Sequence, residues 1–331
     1  MEKVQLRIPV FGDIHLNQYR QFDNSGSRFE DCLRVLEYIF EFADLAGSPY
    51  VFCTGDIYDN HSTIRTEVVN GVVSCFDRMF KKYPKTVMLA ITGNHDQASK
   101  SLIDKPASSA LEHLETVFEG RFICIDNSCF ELEECGITVF GIPYYEYSEH
   151  YKKVLEKISK SATKINGKKV LLIHQTPSGL GNPNIPVDTD VNDELYKPFD
   201  VVFCGHIHAR QEITPKFWVV GSPLHRSLED EGQKKGFLIF PTDDVNAISF
   251  VSTRGLYPEF KRVRLKEGEE VPEDERYFIV PEYESKEVEG SVDASIDEFG
   301  SNLKSSDLLR NFWKTVDGKD EDLLEVGLSL L

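Results

Sequence analysis

Val10-Phe11-Gly12-Asp13-Ile14-His15 and Val51-Phe52-Cys53-Thr54-Gly55-Asp56 each carry a short apolar run through a glycine to an acidic residue. Three further apolar runs along the 331-residue chain also end on polar residues, two of them through a glycine. Thr86–Ile91 leads into Gly93-Asn94-His95-Asp96, Lys169–Ile173 leads into His174, and Val201–Cys204 leads into Gly205-His206-Ile207-His208. Short apolar runs bounded by turn residues are how strands buried on both faces read in a sequence. In sheets of that kind ligands gather at the carboxyl ends of the strands, and a glycine there allows a sharp turn and close backbone approach. The five segments therefore predict one site assembled from strand ends.

The sequence around them alternates in the same sense. Phe29, Cys32, Leu33, Leu36, Ile39, Phe40 and Ala43 recur at i, i+3, i+4 spacing and predict an amphipathic helix. Helices are also expected over residues 63–83, near Leu111–Phe118 behind a Ser109/Glu112 capping box, and over Glu149–Lys160. Phe122–Ile125 and Ile137–Phe140 read as strands, as do Gln211–Ile213, Trp218–Val220, Phe237–Phe240 and Ala247–Val251 in the strand-rich second half. The expected fold class is α/β: a sandwich with sheets at its centre and helices outside.

Residues 1–250 form the expected catalytic domain. Residues 251–290 read as a short capping region or linker, charged and holding one strand-like run, Tyr277–Val280. Residues 291–331 read as a small helical C-terminal extension. Its many apolar residues, including Leu308, Leu309, Phe312 and Trp313, either pack on the main domain or dock on a partner.

The formal net charge of −18 repels nucleic acid at long range. The acidity is unevenly placed: Lys261–Leu331 holds 10 Lys and Arg against 19 Asp and Glu, a balance of −9. Seven scattered cysteines without a CxxC pair suit a reducing compartment. There is no secretory leader pattern at residues 1–10 and no apolar run of membrane-crossing length, so the expectation is an intracellular, cytoplasmic protein with no membrane partner (host cytoplasm if phage-encoded).

The chemistry-bearing residues are Asp13, His15, Asp56, Asn94, His174, His206 and His208. Carboxylate, imidazole and amide oxygen together suit Mn, Fe or Zn better than Ca. Two such cations roughly 3.5–4 Å apart can clamp the attacking and leaving oxygens of a phosphoryl displacement. Asp56 stands mid-set with no paired imidazole, which makes it the expected bridge. His206 and His208, two apart, are expected on one face of a strand. Any one of these segments alone is a common turn or a buried histidine; the ordered five are what predict a two-metal site.

The ordered set resembles the calcineurin-like metallophosphoesterase superfamily over roughly residues 5–240, which implies a four-layer β-sandwich flanked by helices. Carried over by position, the resemblance implies one metal held by Asp13, His15, Asp56 and His208. A second would be held by Asp56, Asn94, His174 and His206, with His95 facing the leaving oxygen as proton donor. Asp59 or Asp96 would orient His95. Asp59-Asn60 and Asp96 differ from the Arg-Gly and Glu of the Ser/Thr phosphatase branch. Phe140-Gly141-Ile142-Pro143-Tyr144, Gly221–Ser227 and Lys235-Gly236-Phe237 instead resemble the SbcD-type DNA repair nucleases and their phage relatives.

That branch implies Mn2+, a DNA substrate, an SbcC-type ATPase docked on the C-terminal helices, and a homodimer by analogy. Loops Gln97–Pro106 and Gln175–Asp193, with Tyr144 and Arg226, are the expected DNA contacts. A small-molecule phosphodiesterase and a non-catalytic scaffold on the same fold are the alternatives.

Overall fold

The computed structural model describes residues 4–19, 27–60, 63–99, 108–180, 187–266 and 268–283. The C-terminal segment 291–331, residues 100–106 of the loop Gln97–Pro106 and residues 181–186 of the loop Gln175–Asp193 lie outside the described residues.

Two six-stranded sheets make the centre. The first contains β1 (Arg7–Phe11), β2 (Tyr50–Cys53), β3 (Val87–Ala90), β4 (Phe122–Cys124), β11 (Gly236–Pro241) and β12 (Ser249–Ser252), in the order β12-β11-β1-β2-β3-β4. The second contains β5 (Ser128–Leu132), β6 (Ile137–Ile142), β7 (Lys168–His174), β8 (Val201–Gly205), β9 (Gln211–Thr214) and β10 (Phe217–Val219), in the order β5-β6-β7-β8-β10-β9. β1 through β4 run parallel to one another, as do β6, β7 and β8, so their carboxyl ends lie along one edge of each sheet.

Alternation along these strands builds the layers. Ile8, Val10, Phe52 and Leu89 point from the first sheet onto Ile137, Val139, Val170, Leu172, Val201 and Phe203 of the second. Their neighbours Phe11, Val51, Cys53 and Met88 face α1 (Ser27–Leu45), α2 (Thr66–Lys82) and α3 (Glu112–Val117). Phe140, Ile142, Leu171 and Ile173 face α4 (Ser148–Ala162). Helices, sheet, sheet and helix form four layers, and strands buried on both faces explain the unbroken apolar runs. Each fully buried Leu, Ile or Phe contributes about 1.5–3 kcal/mol relative to exposure.

The periodic residues of α1, from Phe29 to Ala43, are all buried. The helix stops where Gly47 takes φ +67°, with the Ser48 amide donating to the Ala43 carbonyl; only glycine adopts that cap without strain. The capping pair also forms: Ser109 Oγ accepts from the Leu111 amide at 3.1 Å and Glu112 Oε1 from the Ser109 amide at 3.1 Å.

Two strands escape the sequence reading. β5 is an edge strand, largely exposed, so it carries no apolar stripe. β13 (Glu259–Leu265) interleaves basic residues with few apolar ones, yet pairs in parallel with β14 (Tyr277–Tyr283). This ribbon is tied to the segment after β10: the Phe260 amide donates to His225 Nδ1 at 3.1 Å, and the Arg262 amide to Glu231 Oε1 at 2.7 Å. β12, which crosses position 251, belongs to the first sheet.

Candidate metal centre

Five strand ends deliver the site. The loop after β1 brings Asp13 and His15, the loop after β2 brings Asp56, and the loop after β3 brings Asn94 and His95. β7 ends on His174, and the loop after β8 brings His206 and His208. The first two loops zip together: the Asp13 amide donates to the Gly55 carbonyl at 2.9 Å and the His15 amide to the Asp56 carbonyl at 3.0 Å.

This convergence strains the backbone. Among the described residues five non-glycines lie in the left-handed region, and four of them are Asp13 (φ 53°), His15 (49°), Asp56 (55°) and His206 (79°). Each such residue costs of order 1–3 kcal/mol, a cost that concentrates at functional sites. Space is equally tight. A Cβ on Gly93 would stand 2.2 Å from Asp56 Oδ1, and one on Gly205 would stand 2.5 Å from the Thr54 carbonyl oxygen.

The side chains sort into overlapping groups whose ligand atoms lie within 4.8 Å of one another: Asp13 with His15 and His208, and Asp56 with His174 and His206. A third group, His15, Asp56 and His95, joins them. Asp56 Oδ2 lies 3.5 Å from His15 Nε2 and 3.3 Å from His174 Nε2, between the two halves. Asn94 Oδ1 lies 3.0 Å from His174 Nε2 and 2.9 Å from His206 Nδ1. All seven residues of the sequence-derived set are brought together.

Their arrangement departs from expectation in two places. His206 and His208 do not share a strand face. They follow the end of β8 in a loop, and the left-handed turn at His206 sends the two rings to different halves. The Asp96 carboxylate points away from the chemistry: it accepts the amides of Asp56 (2.8 Å), Tyr58 (2.9 Å) and Gly93 (3.0 Å), clamping the loops that carry Asp56 and Asn94. Asp59 reaches His95 through its backbone, since His95 Nδ1 donates to the Asp59 carbonyl at 2.5 Å. Its carboxylate instead faces His15 Nδ1 at 3.3 Å and takes Arg226 Nη2 at 2.5 Å and Asn17 Nδ2 at 2.8 Å.

Supporting groups surround the set in roles the sequence did not disclose, although Arg226 was expected as a DNA contact and Lys235 lies in one of the resembling segments. Thr54 contributes its carbonyl, which accepts His174 Nδ1–H at 2.7 Å and leaves Nε2 facing the cluster. Lys235 Nζ donates to the His208 carbonyl at 2.8 Å and pairs with Asp230 at 2.6 Å, both side chains buried. The Asp230 carboxylate also accepts the Arg226 and Ser227 amides. Arg226 binds the His15 carbonyl at 3.0 Å and the Tyr19 hydroxyl. A polar residue next to an apolar run, as Lys235 is, carries no sequence pattern that marks such a role.

Electrostatics agree with a donor set. Burial holds the imidazoles of His206 and His208 down to about 3 and that of His15 to about 4, so all three are neutral ligands at working pH. Burial pushes Asp13 up to about 7, and its Oδ2 is buried with no hydrogen-bond partner. Burial opposes charge on His174, but the adjoining Asp56 carboxylate more than offsets it and lifts the group to about 9. Asp56 itself is held far below the usual carboxylate range: burial works against its charge, and His174, His15 and His95 overcome that. An orphaned carboxylate oxygen, neutral imidazoles and an amide oxygen converging on a shared Asp56 fit two divalent cations.

A family model described as calcineurin-like phosphoesterase matches residues 6–210. The chain belongs to this family, as a metal-binding phosphoester hydrolase with the four-layer fold described above. Among solved structures it is similar to TT1561 of Thermus thermophilus, at 11% identity and a TM-score of 0.48, covering 76% of this chain and all of that one. It is also similar to a dimetal phosphatase from Danio rerio, at 10% identity and a TM-score of 0.47, covering 72% of this chain and 92% of that one. No curated protein matches the chain. Among the described residues no helix is long and apolar enough to cross a membrane.

Proposed function

We propose that the chain is a nuclease of SbcD type that hydrolyses DNA phosphodiester bonds with two Mn2+ ions, and that it works beside an SbcC-type ATPase. The observation that carries this reading is the position of the segments by which the sequence resembles those nucleases. Gly221–Ser227 wraps the His208 carbonyl through the Ser222 amide (3.1 Å) and delivers Arg226 to Asp59. Phe140–Tyr144 ends with the Tyr144 ring 5.4 Å from that of His206, tilted by 32°. Both segments close on the cluster rather than on remote surface.

In this reading Asp13, His15, Asp56 and His208 hold one cation, and Asp56, Asn94, His174 and His206 the other. The pair would supply an activated water and offset charge on the phosphate. The chain's own groups do the rest. The Asp56 carboxylate receives the His95 amide at 2.8 Å, which fixes the loop bearing the proton donor. The Asp59 carbonyl engages His95 Nδ1–H, so Nε2 is the atom left to face the leaving sugar oxygen. The ring in its doubly protonated form gives its Nε2 proton there and is left as the neutral Nδ1–H imidazole, a contribution typically of ~10²–10⁴-fold. Arg226 locks Asp59 and the His15 backbone in register, and Thr54 sets the His174 tautomer.

The test is hydrolysis of linear duplex DNA and of bis-p-nitrophenyl phosphate by the purified chain with Mn2+, beside a His95→Ala protein. Degradation of DNA that needs the metal and fails in the variant supports the nuclease. Turnover of the small diester with DNA left intact, even with an SbcC-type ATPase added, would replace it with a small-molecule phosphodiesterase.

A further inference from the structure

Arg28, in the first turn of α1, is 5% exposed. Arginine is rarely buried so far without contacts that offset its lost hydration. Its guanidinium lies 3.8 Å from the centre of the Tyr19 ring, and 5.2 and 5.9 Å from those of Phe260 and Phe278. Phe260 stands on β13 and Phe278 on β14, so the two-stranded ribbon supplies two of these three rings. Nη2 donates to the Arg226 carbonyl at 2.5 Å. A planar guanidinium can lie against rings while it donates in its own plane, which a compact ammonium cannot match.

The two residues that Arg28 braces converge on one metal ligand. Arg226 donates to the His15 carbonyl at 3.0 Å, and the Tyr19 hydroxyl donates to the same carbonyl at 2.6 Å. Arg226 also holds the Asp59 carboxylate, which faces His15 Nδ1. The ribbon grips this segment at two more points, through the Phe260 amide on His225 and the Arg262 amide on Glu231. Between those points Asp230 aligns Lys235 on the His208 carbonyl. Each path ends on His15 or His208, the two imidazoles grouped with Asp13. The other half stands on different supports: His174 on the Thr54 carbonyl, the Asn94 loop on the Asp96 carboxylate, and His206 beside the Tyr144 ring.

We infer that Arg28 is a positioning residue for His15, and that it carries the seating of the ribbon to the Asp13/His15/His208 half of the centre. Cation binding in that half then depends on the ribbon, while binding in the Asp56/His174/His206 half does not. The inference rests on the two-cation reading of the cluster. The outer partners of a ligand fix its orientation, and their loss typically costs roughly 10–100-fold in metal affinity. A shifted ribbon therefore releases one cation ahead of the other, and hydrolysis that needs both stops while the rest of the cluster stays in place.

The test is Mn2+ binding by the full chain, followed by the electron paramagnetic resonance signal of the free ion. His208→Ala and His206→Ala identify which binding step belongs to which half. Arg28→Lys keeps the charge and loses the plane; it should weaken the His208-dependent step roughly tenfold and leave the other within about twofold. Phe278→Leu keeps apolar bulk on the ribbon and should weaken the same step alone. In the Arg28→Lys background Phe278→Leu should add little, because the path it acts through is already cut. Thermal unfolding checks each variant, and if Arg28→Lys does not fold, Phe278→Leu decides. Equal loss in both steps, unchanged binding, or fully additive effects of the two substitutions overturn the inference. A parent chain that binds fewer than two Mn2+ removes the two-cation reading and the inference with it; two bound ions with no selective loss remove the inference alone.

Discussion

Gly93→Ala removes no ligand and adds one methyl group, and it should still disable the site. The new Cβ would lie 2.2 Å from Asp56 Oδ1 and 2.4 Å from the Asp56 amide nitrogen. Non-bonded heavy atoms settle near 3.5 Å, so Asp56 must retreat by about 1 Å. Asp56 meets both halves of the cluster and also holds the His95 amide, so a single shift disturbs both metal positions and the proton donor together. A misplacement of about 1 Å costs roughly 10²-fold in rate. Overpacking costs about 1–3 kcal/mol, and for a domain of this size each kcal/mol lowers Tm by roughly 2–4 °C, so a fall of about 2–12 °C accompanies it. The assay is kcat/KM on bis-p-nitrophenyl phosphate with Mn2+, beside Mn2+ affinity and thermal unfolding. Gly120→Ala is the control: its φ is +71° with nothing within 4 Å of the new Cβ. It should cost about 1 kcal/mol of backbone strain and leave kcat alone. A Gly93→Ala protein with normal kcat/KM and normal metal affinity would refute the packing argument.

Lys235→Met strands the buried Asp230 carboxylate and frees the His208 carbonyl; a loss of about 3–5 kcal/mol is expected by denaturant unfolding, and adding Asp230→Asn should return part of it. If the single variant is as stable as the parent, the pair is not holding this loop. Arg226→Lys keeps the charge but loses the fork that joins His15, Tyr19 and Asp59, and kcat should fall roughly 10–100-fold with the fold intact; an unchanged kcat would show that charge alone suffices there. In the metal-free protein Asp13 titrates at about 7, driven up by burial, and His174 at about 9, where Asp56 outweighs burial. Cation binding requires both without their protons, so Mn2+ affinity should rise with pH through 7 to 9, and binding at pH 7 should release protons. Calorimetry in two buffers of different ionisation enthalpy measures this, and a binding heat independent of buffer would contradict it.

Much of the architecture was legible because the strands that build the site are buried on both faces and leave unbroken apolar runs. The glycine that follows most of those runs marks where the backbone must turn. Asp13, His15, Asp56, Asn94, His174, His206 and His208 could be named for that reason. β5 and β13 were illegible because an exposed edge strand and a basic two-stranded ribbon need no apolar stripe. The carboxylate of Asp96 was misjudged for a different cause: adjacency to His95 in sequence says nothing about where a side chain points once the turn closes, and three amides claim it. His206 and His208 show the same limit, since period-two spacing means a shared face only while the strand continues, and this one ends at Gly205.

The seam at Asp56 has a consequence for the chain as it is made. His15 and His208 lie 193 positions apart, yet their ring nitrogens stand 3.1 Å from each other. The first sheet supplies Asp13, His15, Asp56, Asn94 and His95, and the second supplies His174, His206 and His208. A growing polypeptide that has emerged only as far as β6 holds one half of the cluster and nothing to close it. Catalytic competence therefore arrives in one step, late in translation, when the two sheets meet. Activity in this protein is a report that both have folded.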